Sequence, residues 1–228
     1  MPVIHDIPLT LNVKEVLRRQ GLKGAAEVRP ETKDLILELL ASVRETRLVE
    51  AAAYRRNTVT GINGNRISLE GGGVIRGPLI PAMFAEAKEL AVLLCTIGPR
   101  LENRVTDYSR SAEVMKGMVL DGIHSTALDV MVLEVLGRLA GDVSSRSYRI
   151  SSPVSPVMPG FPVNEQRNLL GVVKADEIGL GVTSSGMLVP RTSTSMVIGI
   201  GPNVKKWTQA AVCSRCRLTE TCHYSVTE

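Results

Sequence analysis

The chain has 228 residues, of which 44% are hydrophobic, so it is long enough to bury a sizeable core as a single domain. Its net charge of +4 comes from 27 basic and 23 acidic residues spread along the chain, and only 3% of residues are aromatic, so nucleic-acid binding is not expected. No apolar stretch approaches the roughly 20 residues of a membrane span. The first residues do not have the pattern of a secretory signal. We therefore expect a soluble, cytoplasmic protein without a membrane partner.

The first third of the chain predicts two helices followed by a strand pair. Residues 12–20 and 30–53 carry apolar side chains at helical spacing. From Thr58 to Ile75, apolar residues flank Asn63-Gly64, which predicts two strands around a tight turn. The glycine run 71–73 predicts a loop; it could cradle phosphate, but it lacks the spacing of a P-loop.

The middle of the chain predicts the centre of the core. Residues 90–97 form a short, continuous apolar run closed by Gly98-Pro99, which is typical of a strand buried on both faces. Cys95 is therefore expected in the core. Residues 112–139 have an apolar face at helical spacing and predict a long central helix.

Three residues of that helix have the chemistry of a catalytic triad. Asp121, His124 and Ser125 lie too close together on one helix to converge as a nucleophile, a base and an orienting group. We therefore expect structural or surface roles for them.

The last third of the chain predicts short elements around an irregular loop. Residues 151–162 hold four prolines around Gly160, and stiff, irregular segments on a rigid scaffold often carry binding sites, although a plain connector is the alternative. The other predicted elements are a strand at 145–150, a helix at 165–173 capped by Asn164, and strands at 179–183 and 192–200.

The order and spacing of five segments carry a family resemblance. They are Cys-Thr-Ile-Gly-Pro at 95–99, Leu-Asp-Gly-Ile at 120–123, Pro-Gly-Phe-Pro at 159–162, Ile-Gly-Leu-Gly-Val-Thr-Ser-Ser at 178–185 and Pro-Arg-Thr-Ser-Thr-Ser at 190–195. Together they resemble the activation domain of cobalamin-dependent methionine synthase, over about residues 16–201. No single segment is specific, whereas their order is.

The resemblance implies an α+β fold: a twisted, mainly antiparallel sheet packed with helices, including the long central helix. It also implies a domain over residues 1–205, with 206–228 as a cysteine-containing tail. By the same resemblance, the chain would bind S-adenosylmethionine and act on cobalamin held by a partner, a corrinoid-binding methyltransferase. The cofactor-binding residues would be Met158, Pro159, Gly160, Phe161 and Arg191.

The sequence departs from the family where the ligand would be gripped. Pro156 and Phe161 stand where the family has arginine and tyrosine, and Ser184 and Gly186 stand where it has glutamate and an aromatic residue. The departures favour a second hypothesis, a non-enzymatic docking or scaffold protein that has lost the binding of S-adenosylmethionine. In either case the chain need not supply a general base, because the methyl donor and the cobalt carry the chemistry.

Three cysteines near the C-terminus predict a metal site. Cys213, Cys216 and Cys222 are spaced closely enough to reach one metal ion, and they suit an iron–sulfur cluster or zinc. This pattern supports a third hypothesis, a small metal-dependent redox protein. Free thiols on a terminal tail are the alternative.

Overall fold

An antiparallel sheet lies in the middle of the protein. The computed structural model describes residues 3–5, 7, 9–19, 29–45, 51–156, 158–214 and 219–221. The strands are β1 (Val3–His5), β2 (Ala51–Asn63), β3 (Arg66–Leu69), β4 (Val74–Arg76), β5 (Glu89–Thr96), β6 (Arg149–Ile150), β7 (Gly181–Val182), β8 (Leu188–Val189) and β9 (Ser193–Gly201). The main sheet runs β4-β3-β2-β5-β9-β6, β1 also pairs with β2, and β7 and β8 form a separate ribbon. All pairings between these strands are antiparallel, which confirms the predicted sheet.

Helices cover the sheet. They are α1 (Val13–Arg19), α2 (Pro30–Glu45), α3 (Ile80–Met83), α4 (Arg100–Arg110), α5 (Val114–Ser144), α6 (Glu165–Val172) and α7 (Gln209–Cys213), with a 3₁₀ turn at Ala175–Ile178. The long central helix is confirmed as α5, and it continues beyond residue 139 to Ser144. Among the described residues, no helix is both long and apolar enough to cross a membrane.

The sheet separates two hydrophobic cores, because neighbouring side chains on a strand point to opposite faces. On β5, Ala91, Leu93 and Cys95 pack on one face with α1, α2 and α5, and we call this cluster the helix-side core. Leu90, Val92 and Leu94 pack on the other face with α3 and α6, in what we call the loop-side core. All six side chains are fully buried, which confirms the predicted strand buried on both faces.

Several local predictions were wrong. A helix was predicted over residues 30–53, but α2 covers Pro30–Glu45 and Ala51–Ala53 form the beginning of β2. These alanines pair with β1 on one side and with β5 on the other, so tertiary pairing overrides their helix propensity. Asn164 precedes α6 without a side-chain capping bond. The predicted strand 145–150 shortens to Arg149–Ile150, because residues 145–147 form the turn that follows α5.

Candidate functional site

The proline-rich segment crosses the loop-side core and turns sharply at Gly160. Gly160 has φ +78°, a left-handed conformation that favours glycine, and an added Cβ would lie 2.3 Å from Leu79 Cγ. Two backbone hydrogen bonds shape the turn, from Phe161 N to Met158 O at 2.9 Å and from Met158 N to Ser155 O at 3.1 Å. The turn is therefore fixed both by its own bonds and by close contact with the chain before α3.

The backbone of this turn retains hydrogen-bonding capacity. The Gly160 carbonyl accepts from Leu79 N at 3.4 Å, and the Met158 carbonyl accepts from Phe161 N. Within the described residues, the Gly160 N–H and the Pro159 carbonyl have no hydrogen-bond partner. A donor and an acceptor so close together can recognise the edge of a heterocyclic base.

Phe161 contributes its ring to the loop-side core and not to the surface. The side chain is 1% exposed and belongs to the same cluster as Leu169 and Phe84. In this conformation the ring is not available to stack on a ligand. Met158 and Pro159 are half-buried. The role of Met158, Pro159, Gly160 and Phe161 in cofactor binding stays a prediction.

The turn between β7 and β8 lies against the end of the proline-rich segment. The turn between β7 and β8 contains Gly186 at φ +88°, where an added Cβ would lie 3.1 Å from Val163 Cγ2 and 3.2 Å from the Val163 carbonyl oxygen. The turn is closed by a bond from Thr183 N to Met187 O at 2.8 Å. The fold thus places the β7–β8 turn against Val163, the residue that directly follows the 159–162 segment. A larger residue at 186 would press on Val163, so the missing aromatic residue fits this backbone.

Arg191 points to the beginning of α4. Its backbone N–H donates to Glu102 Oε2 at 2.8 Å, and its Nε donates to Glu102 Oε1 at 3.0 Å. The side chain is 63% exposed, so a ligand could reach it, but it pairs with the Glu102 carboxylate and not with the 158–161 turn. The sequence prediction missed this pairing because α4 itself was not predicted. The role of Arg191 in binding stays a prediction.

His124 lies buried behind this ion pair. It is 1% exposed, its Nδ1 lies 3.3 Å from Thr192 Oγ1, and its Nε2 has no hydrogen-bond partner in the part of the chain described. Burial, with a smaller contribution from Arg191, lowers the pKa of His124 from 6.5 to about 4, although Asp121 and Glu102 act in the opposite direction. The imidazole is therefore neutral at pH 7.

The three triad-like residues do not converge. Asp121 and Ser125 are exposed on α5, whereas His124 is buried. His124 faces the sheet side of the helix, where Thr192 approaches it. This agrees with the structural and surface roles expected from the sequence.

The cysteines divide into a core residue and a partly described tail. Cys95 is fully buried, and burial raises its pKa to about 12, so the thiol is not reactive at neutral pH. Cys213 ends α7 and is partly exposed, whereas Cys216 and Cys222 lie outside the described residues. The residues that are described contain no group of three potential metal ligands. The three-cysteine metal site stays a prediction, as does the domain boundary at 205/206.

Comparison with known proteins gives a match at the level of structure. No protein-family model matches the chain, and no curated protein matches it in sequence. Thirteen chains of known structure match the fold. One is described as the crystal structure of the MetH reactivation domain bound to AdoHcy; it has a TM-score of 0.64 and 11% sequence identity, covering 88% of this chain and 73% of that chain. At this identity the likeness shows a shared fold.

Proposed function

We propose that this chain is an activation partner of a corrinoid-dependent methyltransferase of the methionine synthase type, and that it binds S-adenosylmethionine at the turn Met158–Phe161. The observation that carries the proposal is the shared fold with the MetH reactivation domain, whose structure contains AdoHcy. Because that likeness speaks for the fold alone, the binding site has to be argued from this chain's own residues.

Two features of the site support the binding of a nucleoside. Within the described residues, the turn at Gly160 offers an unpaired N–H and, on the neighbouring residue, an unpaired carbonyl. The β7–β8 turn contacts Val163, three residues after Gly160. Glycine at 160 lets the main chain approach a ligand closely, and Pro159 fixes the backbone in advance. Both features act through backbone position, so they survive the loss of the family's side chains.

The task of the protein in this proposal is positioning. S-adenosylmethionine supplies an electrophilic methyl group, and the cobalt of a partner's cobalamin accepts it together with one electron from a reductant. The chain holds the donor at a fixed surface and docks against the corrinoid protein. Positioning of this kind can supply much of a rate enhancement without a catalytic side chain.

The proposal is tested by anaerobic reactivation of a corrinoid methyltransferase. The enzyme, with its cobalamin in the cob(II) state, is mixed with this protein, S-adenosylmethionine and a one-electron reductant. We expect S-adenosylhomocysteine to form in proportion to the cobalamin present, and only when this protein is added. Equal formation without the protein, or with Gly160→Ala, would contradict the proposal, whereas Gly137→Ala on the exposed face of α5 serves as the matched control.

A second function is favoured by the geometry of two side chains. The ring of Phe161 is buried in the core, and the guanidinium of Arg191 is paired with Glu102, so neither is poised to grip a ligand. These observations favour a docking protein that retains the fold and has lost the binding of S-adenosylmethionine. Such a protein would bind the corrinoid enzyme in a pull-down experiment with the same affinity in the presence and absence of S-adenosylmethionine.

A further inference from the structure

A polar cavity lies on the loop side of the sheet, between the β3–β4 turn and α6. Its volume is about 290 Å³. It is lined by residues of β2, of the glycine run and of α6. These are Arg55, Asn57, Glu70, Gly71, Gly72, Gly73, Arg167, Asn168, Gly171 and Val172.

Two polar residues of β2 occupy positions that belong to the core face of the sheet. Ala51 and Ala53 of the same strand face pack in the loop-side core. Arg55 and Asn57 continue that face, and on β5 they pair with Val92 and Leu90, which are fully buried core residues. Polar residues at positions where the pattern calls for apolar ones are typical of a binding site.

The two arginines of the cavity retain most of their hydrogen-bonding capacity. Arg55 Nη1 donates to the Val172 carbonyl at 3.5 Å, and Arg167 Nη2 donates to the Thr183 carbonyl at 3.2 Å. These contacts orient the guanidinium groups. Among the described residues, neither arginine forms an ion pair with a carboxylate.

The glycine run adds backbone donors beside these charges. Gly71 and Gly72 have φ values of +82° and +87°, which a residue with a side chain adopts only with strain. The Gly72 N–H closes the turn on the Leu69 carbonyl at 3.1 Å, whereas in the described structure the amides of Gly71 and Gly73 donate to no acceptor. Amides of a glycine-rich turn beside two guanidinium groups form an environment suited to an oxyanion.

The carboxylate of Glu70 also lines the cavity, and it restricts the chemistry of the ligand. Glu70 Oε2 accepts from Thr58 Oγ1 at 2.7 Å, and Asn57 Nδ2 donates to the Arg55 carbonyl at 3.3 Å. This leaves Glu70 Oε1 and Asn57 Oδ1 as acceptors without a partner in the described part of the chain. Acceptors next to an anion site suit a ligand that carries hydroxyl groups next to its phosphate.

We propose that this cavity binds the phosphate monoester of a small, hydroxyl-bearing metabolite. The two guanidinium groups and the glycine amides hold the phosphate, and Glu70 and Asn57 accept from the hydroxyl groups. The volume, close to the lower end of the range for small-molecule sites, limits the ligand to about the size of a pentose phosphate. This proposal does not depend on the proposed function, because S-adenosylmethionine carries no phosphate. The binding of S-adenosylmethionine and the binding of a phosphate monoester can be measured separately.

The experiment is a titration of the full chain with ribose 5-phosphate, followed by amide NMR and by calorimetry. We expect the amide resonances of Gly71 and Gly73 to shift, and ribose without phosphate to cause no shift. Arg55→Gln and Arg167→Gln should each weaken binding about tenfold to a hundredfold, the range for a lost charge-assisted contact. The matched control is Arg138→Gln, an exposed arginine of α5 that also lacks an ion pair among the described residues and should leave the affinity unchanged.

The amide spectrum of each variant reports in the same samples whether the fold is intact. Binding that persists at unchanged affinity in folded Arg55→Gln and Arg167→Gln would overturn the proposal. Resonance shifts confined to residues away from the glycine run, or an equal response to ribose, would also overturn it. A variant that fails to fold is replaced by the corresponding lysine variant, which keeps the charge and should retain weaker binding.

Discussion

The two faces of the sheet are built differently, although the same strands form both. On the helix side, the 31-residue α5 packs along the sheet together with α1 and α2. On the loop side, the cover consists of the four-residue α3, the eight-residue α6 and irregular segments that meet through glycines. A long helix uses its backbone groups internally, whereas an irregular cover leaves some of them available for ligands. The loop side can therefore hold binding sites while the helix side supplies a continuous support.

The largest effects should come from deleting core volume, and they should be equal on the two faces. Leu93 and Leu94 are adjacent, fully buried and on opposite sides of β5. Leu93→Ala and Leu94→Ala should each lower the free energy of unfolding by about 2–5 kcal/mol, because each leaves a cavity in a packed core. Urea denaturation measures both. A loss below about 1 kcal/mol for Leu94→Ala alone would show that the loop-side core packs loosely.

The helix side should be the source of acid sensitivity. His124 has a pKa of about 4 in the folded protein against 6.5 when unfolded, so the unfolded state takes up the proton first as the pH falls. The contribution of His124 to the free energy of unfolding is complete above about pH 6.5. It is lost as the pH falls towards 4, and the loss at pH 4 is about 3 kcal/mol. Comparing urea denaturation of the parent and His124→Asn at pH 7 and pH 4 isolates this contribution. Equal losses in both proteins would contradict it.

The loop side should be sensitive to single methyl groups at its glycines. Gly160→Ala forces an alanine to φ +78° and places Cβ against Leu79, which should cost about 1–3 kcal/mol of stability. Gly137 lies inside α5 with nothing within 4 Å of an added Cβ. Gly137→Ala should therefore stabilise by about 0.5–1 kcal/mol. Thermal melts of the two variants in the same buffer should move in opposite directions.

The smallest effect on stability is expected at the ion pair between Arg191 and Glu102. Arg191→Ala removes the side-chain bond from Nε to Glu102 and keeps the bond from the backbone N–H. Because the Arg191 side chain is largely exposed, we expect a loss of no more than about 1 kcal/mol in the free energy of unfolding. The same variant should weaken the binding of S-adenosylmethionine if Arg191 can leave Glu102 for the ligand. Unchanged ligand affinity would assign Arg191 to structure alone.

Elements that have a local sequence pattern could be predicted, whereas elements that depend on distant partners could not. The run 90–97 and the long helix were visible in the sequence, because burial on both faces and an apolar face at helical spacing are local patterns. The local pattern predicts a helix through Ala51–Ala53, whereas their strand character comes from partners far away in the chain. The 158–161 turn was singled out by its prolines and Gly160, but the inward orientation of Phe161 depends on packing that no local pattern contains. The polar cavity was missed for the same reason, because it forms where Arg55 and Asn57 meet residues of α6 more than a hundred positions later.

Calorimetric titration with S-adenosylmethionine tests the central claim most directly, namely that the turn at Gly160 binds this ligand. We expect saturable binding at one site in the parent and in Gly137→Ala, and a large loss of affinity in Gly160→Ala, whose added methyl group displaces the turn against Leu79. A melting temperature that rises with ligand concentration would accompany binding, since the ligand selects the folded state. The absence of any heat of binding at millimolar ligand, or equal affinity in Gly160→Ala, would contradict the claim.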